Sequence, residues 1–144
     1  MNNTLFNMRK YIFLLFAVAA ITAISCAKKT DEELFAGRWK LIHEKSYKTD
    51  GSLKEENDYP FNGDTKVWVF DKDKTFRLTE VKSSKVTVRE GAYVLLENDL
   101  LLNDTAAKIM MSAKIMQLEK KKLSLEVFNK YEIKTADMQF EKMK

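Results

Sequence analysis

Two residues in this chain could do chemistry that no other residue duplicates. Cys26 is the only cysteine and His43 the only histidine among 144 residues. A lone cysteine closes no intramolecular disulfide, and in an exported protein it needs another use, of which lipidation is one. A lone histidine with no second imidazole and no thiol beside it lacks the ligand set of a zinc site. No Gly-x-Ser-x-Gly elbow is present to support a Ser/His/Asp triad. Acidic pairs occur at Glu55-Glu56 and at Asp71 and Asp73, and glycosidases do use two carboxylates at a set separation. Both pairs sit among turn residues, so they read as solvated. Asp71-Lys72-Asp73 opens like a calcium loop but lacks the required glycine and closing glutamate. The expectation is a non-enzymatic protein with no catalytic residue, no metal and no cofactor.

The setting of Cys26 is more informative. Residues 1–10 end in Arg9-Lys10, and Tyr11 to Ala23 is an uninterrupted apolar run apart from Thr22. A basic segment, a short apolar core and small residues after it are the pattern of a secretory signal. The run falls short of the roughly 20 residues that span a bilayer. Arg9-Lys10 would stay on the cytoplasmic side as the apolar segment inserts. The residues Ala23-Ile24-Ser25-Cys26 then resemble the lipobox of bacterial lipoproteins, with Ala23 where leucine is commoner. The resemblance implies cleavage between Ser25 and Cys26, a diacylglyceryl group on the Cys26 sulfur, and acylation of the new amino group. Two or three chains, at about 0.8 kcal/mol per buried CH₂, make release negligible. The membrane partner expected is the bacterial outer membrane, reached through the lipid on Cys26. Ala27 to Glu33 reads as a polar tether. Its lysines-then-acids order is similar to the surface-export signal of Bacteroidota lipoproteins, and it leaves open whether the protein faces the periplasm or the cell surface.

Composition sets the class of the remainder. Hydrophobic residues make up 45% and charged residues 32%, a globular rather than a disordered balance. The length suits one domain plus short extras. Arg9 and Lys10 carry part of the formal charge of +4, and without them it is +2. That balance, with no basic run interleaved with aromatics, excludes a nucleic-acid partner. Lys120-Lys121-Lys122 reads as a turn. The expected division is residues 1–25 as signal peptide, 26–33 as lipidated cysteine and tether, and 34–144 as one domain.

The elements that must position any site are strands. Asp31 to Phe35 could form one helical turn, with its acids at the end the helix dipole favours. From Gly37 to Tyr47 the residues alternate, with Trp39, Leu41, His43, Lys45 and Tyr47 on one face. Residues 48–64 gather turn chemistry and read as a long loop with room for a short edge segment. Strands follow at residues 66–70, 75–81, 85–96, 100–102, 109–119, 123–128 and 138–142. Parity slips near Gly91, where Val86 and Val88 give way to Tyr93 and Leu95, so a bulge is expected there. About eight short strands with tight connections allow a sandwich or a barrel. Consecutive hairpins favour an up-and-down antiparallel β-barrel, which closes its own edges.

At this point the domain resembles the lipocalin-like, or calycin, family. The resemblance rests on Gly37-Arg38-Trp39 opening the first strand, and on Trp68 and Phe70 followed by the Asp71-Lys72-Asp73-Lys74-Thr75-Phe76 hairpin. Gly91-Ala92-Tyr93 and the Leu118 to Leu125 hairpin continue the series. It implies that Trp39 lies across the closed end of the barrel. Where the family often stacks an arginine from the chain end on that tryptophan, this chain offers Lys142. It also implies a small apolar ligand, for which the contacts expected are Trp39, His43, Trp68, Phe70, Phe76 and Tyr93. His43 reads first as a hydrogen-bonded interior polar residue and only second as a ligand contact. The alternative function is a structural or interaction protein of the envelope whose barrel is filled by its own side chains, since a barrel of eight strands is just wide enough for either.

Overall fold

A computed structural model describes residues 31–106 and 108–144. The signal segment, Ser25 and Cys26 lie outside the described residues. Helix α1 (Asp31–Phe35) is followed by β1 (Gly37–Tyr47), β2 (Leu53–Asp58), β3 (Thr65–Phe70), β4 (Thr75–Lys82) and β5 (Lys85–Leu96). Then come β6 (Asp99–Asp104), β7 (Ile109–Leu118), β8 (Lys122–Phe128) and β9 (Lys134–Lys142). Every pairing among these strands is antiparallel. Strands β3 to β9 run in chain order, and β9 returns to β1, so eight strands close into a barrel. Strand β2 is additional. It pairs with the second half of β1, from His43 to Tyr47, while β3 pairs with the first half, from Gly37 to Lys40. The edge segment for which residues 48–64 left room is this β2. The last strand starts at Lys134, four residues before the expected Met138.

Side chains alternate in and out along each strand, and the inward set divides into two ends. At the end where β1 starts, the interior is filled. Phe35 of α1 is wholly buried and packs on Phe70, ring centroids 4.3 Å apart, and on Tyr93 at 5.6 Å. Trp39 is also wholly buried and donates from Nε1 to the Phe35 carbonyl at 2.8 Å. Lys142 lies over the Trp39 ring at 4.9 Å and donates to the Leu34 carbonyl at 2.7 Å. A lysine thus does at this end what the resemblance assigns to an arginine. A cation over an indole contributes about 0.5–2 kcal/mol. Gly37 makes the crossing feasible: a Cβ there would come within 2.6 Å of Lys142 Cε, and its φ of +139° lies where other residues are strained. The three acids of α1 occupy its first turn. They also mean that Asp31 to Glu33, expected in the tether, are helical.

Two expectations about parity are corrected. No bulge occurs at Gly91: the β4–β5 and β5–β6 registers run through it without a shift. Thr87, Arg89, Gly91, Tyr93 and Leu95 all share the inward face, and Val86 and Val88 are exposed outside at 60% and 51%. The valines misled because β-branched residues suit either face of a strand. A shift does occur in β1, between Leu41 and His43. It leaves Ile42 as the extra residue and inverts the second half of the strand. Glu44 then stands opposite the buried Met138, and His43 opposite Gln139 on the outer wall.

Gly91 has a different reason to be glycine. A Cβ there would overlap the Asn103 backbone carbonyl and come within 3.0 Å of Phe76. Backbone cannot give way as a side-chain tip can, so Gly91→Ala is expected to destabilise the fold by about 1–3 kcal/mol. Urea denaturation measures this, and an unchanged midpoint would contradict the close approach.

Candidate functional site

At the end where β1 finishes, the barrel is hollow. A cavity of about 170 Å³ opens between the strands. Its floor is apolar: Trp68, Leu78, Met111, Val127 and Met138. Trp68 separates the two ends. One side of its ring packs on Phe140 at 5.0 Å, and it also lines the cavity. The wall above carries Lys66, Glu80, Thr87 and Arg89. Two larger clefts, about 510 Å³ each, lie against the outer wall, one beside Arg77 and Glu90 and one beside Leu96 and Phe128. They are open grooves between outward-facing side chains. The interior cavity is smaller, but it is less open to solvent than either groove and joins an apolar floor to a charged wall, which is the arrangement that orients a ligand.

The charges of the wall come from residues that strand parity turns inward. Lys66 shares its face with Trp68 and Phe70, and Glu80 shares its face with Phe76 and Leu78. Lys66 Nζ lies 2.7 Å from Glu44 Oε2 and 3.4 Å from Glu80 Oε1. The first pair is nearly shielded, with side chains 17% and 11% exposed, whereas Glu80 is 44% exposed. Burial works against the Lys66 ammonium. The hydrogen bond and charge of Glu44, then the charge of Glu80, outweigh it, so its pKa is raised above the ordinary 10.5. Tyr59, just after β2, donates its hydroxyl to the same Glu44 Oε2 at 2.9 Å, and Lys66 lies 5.6 Å from its ring centre. Across the cavity, Arg89 Nε donates to Asp104 Oδ2 at 2.9 Å, and the Asp104 side chain is only 4% exposed. Asp104 Oδ1 also accepts from the Ala106 amide at 3.0 Å.

Of the six expected ligand contacts, only Trp68 lines this cavity. Trp39, Phe70, Phe76 and Tyr93 are at most 3% exposed and belong to the filled end. There the Tyr93 hydroxyl donates to the Asp71 carbonyl at 2.8 Å. His43, turned outward by the shift in β1, holds Asp58 Oδ1 at 2.7 Å and Glu56 Oε1 at 3.2 Å on the β1–β2 hairpin. The paired acids are turn and surface groups. Asp73 caps the β3–β4 turn through the Thr75 amide at 3.0 Å, and Glu56 also meets Lys45 at 3.1 Å. The polar members of the site, Glu44, Lys66, Glu80, Thr87 and Arg89, were missed. For Lys66 and Glu80 a signal existed: each continues the parity of the aromatic face of its own strand. For Glu44 none existed, because the shift at Ile42 leaves no mark in the pattern. Among the described residues, no group of three or more His, Cys, Asp or Glu could hold a metal ion.

No family model and no curated protein matches the sequence. Solved structures do match the fold. A lipocalin-like protein from Bacteroides uniformis superposes with a TM-score of 0.55 at 20% identity, over 76% of this chain and 99% of that one. An uncharacterized protein from Bacteroides eggerthii gives 0.51 at 17%, over 76% and 99%. Bovine odorant binding protein in complex with a selenium-containing odorant gives 0.50 at 21%, over 78% and 75%. The chain therefore has the lipocalin-like fold: a closed, eight-stranded antiparallel barrel with one strand added.

Tyr59 reports on the mouth of this site. Burial, followed by the negative charge of Glu44, pushes its hydroxyl from 10.0 up to about 12, against the opposing charge of Lys66. A pKa raised on folding contributes stability that is present below the unfolded value and lost as pH rises through the folded one. Stability is thus expected to fall between pH 10.0 and about 12, and more gently in Tyr59→Phe. Urea midpoints across that range measure it, and identical slopes in the two proteins would contradict the assignment.

Proposed function

We propose that the protein is a non-enzymatic, lipid-anchored binder of a small ligand with an apolar body, held in the hollow end of the barrel and stationed at the bacterial outer membrane. The observation that carries the binding reading is the interior cavity above Trp68, with an apolar floor, a charged wall and a filled end beneath it. The bovine protein of the same fold was solved with an odorant, which supports a small-molecule reading. Size limits the ligand. A cavity of about 150 Å³ encloses benzene, so the cavity here, at about 170 Å³, suits a ligand of roughly six to ten non-hydrogen atoms. The anchoring reading rests on Arg9-Lys10, the apolar run and Ala23-Ile24-Ser25-Cys26.

Two expected outcomes test these readings separately. The purified protein titrated with 4-methylpentan-1-ol should show a saturable change in tryptophan emission. Val127→Phe, which fills the floor, should weaken binding at least about tenfold with the far-ultraviolet dichroism unchanged. An emission change that survives in Val127→Phe would place the ligand elsewhere. In cells, Cys26→Ser should abolish membrane retention and the mass of the acyl chains. A mature protein with an unmodified Cys26 still bound to membranes would refute the anchor.

A further inference from the structure

The wall of the cavity holds unspent capacity of both signs. Arg89 commits Nε to Asp104. Its Nη1 reaches only the Met111 sulfur, at 4.0 Å, and no described residue accepts from Nη2. The guanidinium fork is thus half used among the described residues, and Arg89 lines the cavity. On the neighbouring strand, Glu80 is held only by the longer of the two Lys66 contacts, 3.4 Å against 2.7 Å for Glu44. Its Oε2 has no partner among the described residues. Glu80 pairs across β4–β5 with Thr87, and Arg89 follows Thr87 on the same face. Diagonal neighbours of this kind stand about 7–8 Å apart. Glu80 and Arg89 form no ion pair with each other, so an acceptor and a donor of opposite charge face the same space, separated by Thr87.

From this arrangement we infer that the ligand is a small zwitterion with an apolar side chain, of the class of a free apolar α-amino acid. Its carboxylate meets the open half of the Arg89 guanidinium, a geometry that carboxylates accept in bidentate form. Its ammonium meets Glu80, and Thr87 lies between them with a hydroxyl able to donate or accept. Its side chain rests on Trp68, Met111 and Met138, where thioethers adapt to shape. The charge already in place excludes simpler ligands. Lys66 and Arg89 are outnumbered by Glu44, Glu80 and Asp104, so a bare anion enters a wall of net negative charge. A bare cation leaves the Arg89 donors unanswered in a partly dry site, which costs about as much as a hydrogen bond to a charged group. Leucine, with about nine non-hydrogen atoms, falls inside the size limit set by the cavity. The inference rests on the small-ligand reading above and adds to it the charge pattern of the ligand.

The test is a matched set of four compounds titrated into the full-length protein by calorimetry: L-leucine, its deaminated acid 4-methylpentanoate, its decarboxylated amine 3-methylbutylamine, and the neutral 4-methylpentan-1-ol. L-leucine should bind at least about tenfold more tightly than each of the others, since each loses a charge-assisted hydrogen bond. Glu80→Gln should remove the advantage of leucine over 4-methylpentanoate. Arg89→Lys, which keeps a cation beside buried Asp104, should remove its advantage over 3-methylbutylamine. Equal or tighter binding of the alcohol, the acid or the amine would overturn the zwitterion inference while leaving the small-ligand reading in place. Binding by none of the four would overturn both.

Discussion

The shift of register at Ile42 is the constraint on which the two ends of the barrel depend. Before it, β1 sends Trp39 and Leu41 inward, and both are buried in the apolar core. After it, Glu44 points inward opposite Met138. Without the shift, with Ile42 paired in regular alternation, inward parity would bring His43 and Lys45 into the barrel instead, and Lys66 would lose its shielded partner. A buried ammonium without its carboxylate is strongly destabilising. The shift therefore lets a single strand serve a filled, apolar end and a charged one. It also exposes His43 to Glu56 and Asp58, which tie the added strand β2 to the outside of the barrel.

The filled end explains why so small a barrel holds any cavity at all. Phe35, Trp39, Phe70 and Tyr93 form a plug within the first turns of the barrel, and Lys142 closes it from the chain end. The plug fixes Trp68 from below, through Phe70 at 6.2 Å and Phe140 at 5.0 Å. A floor held in this way resists collapse into the space above it, because a close-packed interior has low compressibility. The polar wall is stiffened by pairs rather than by packing: Glu44 with Lys66, and Arg89 with Asp104. Binding and stability thus share the floor, where Trp68, Leu78, Val127 and Met138 belong both to the buried core and to the cavity lining.

Much of the fold is legible in the sequence. Alternation from Gly37 and again from Lys66, short turns such as Asp71 to Lys74, and the near-regular spacing of strands all point to an antiparallel barrel. Gly37-Arg38-Trp39 points to its closed end. The structure follows these cues because each is local and each agrees with the global closure. The site was legible only in part, for two physical reasons. Aromatic bulk marks burial but does not separate a plug from a pocket, so Trp39, Phe70, Phe76 and Tyr93 looked like ligand contacts. A one-residue shift inverts every side chain beyond it, and nothing in Leu41-Ile42-His43 announces one. Lys66 and Glu80 could have been found by extending the parity of Trp68 and Leu78 through residues whose charge argued against burial.

The central claim is that a ligand enters the barrel from the charged end and stops at Trp68. The measurement closest to it is methyl-resolved NMR of the protein during titration with a small ligand of the proposed size. Shifts are expected at Met111, Met138, Val127 and Leu78, which line the cavity, and none at Leu102, Leu123 or Leu125, which lie in the buried core outside it. Shifts confined to those three leucines, or to the exposed Val94, Leu96 and Met110 on the outer wall, would contradict it.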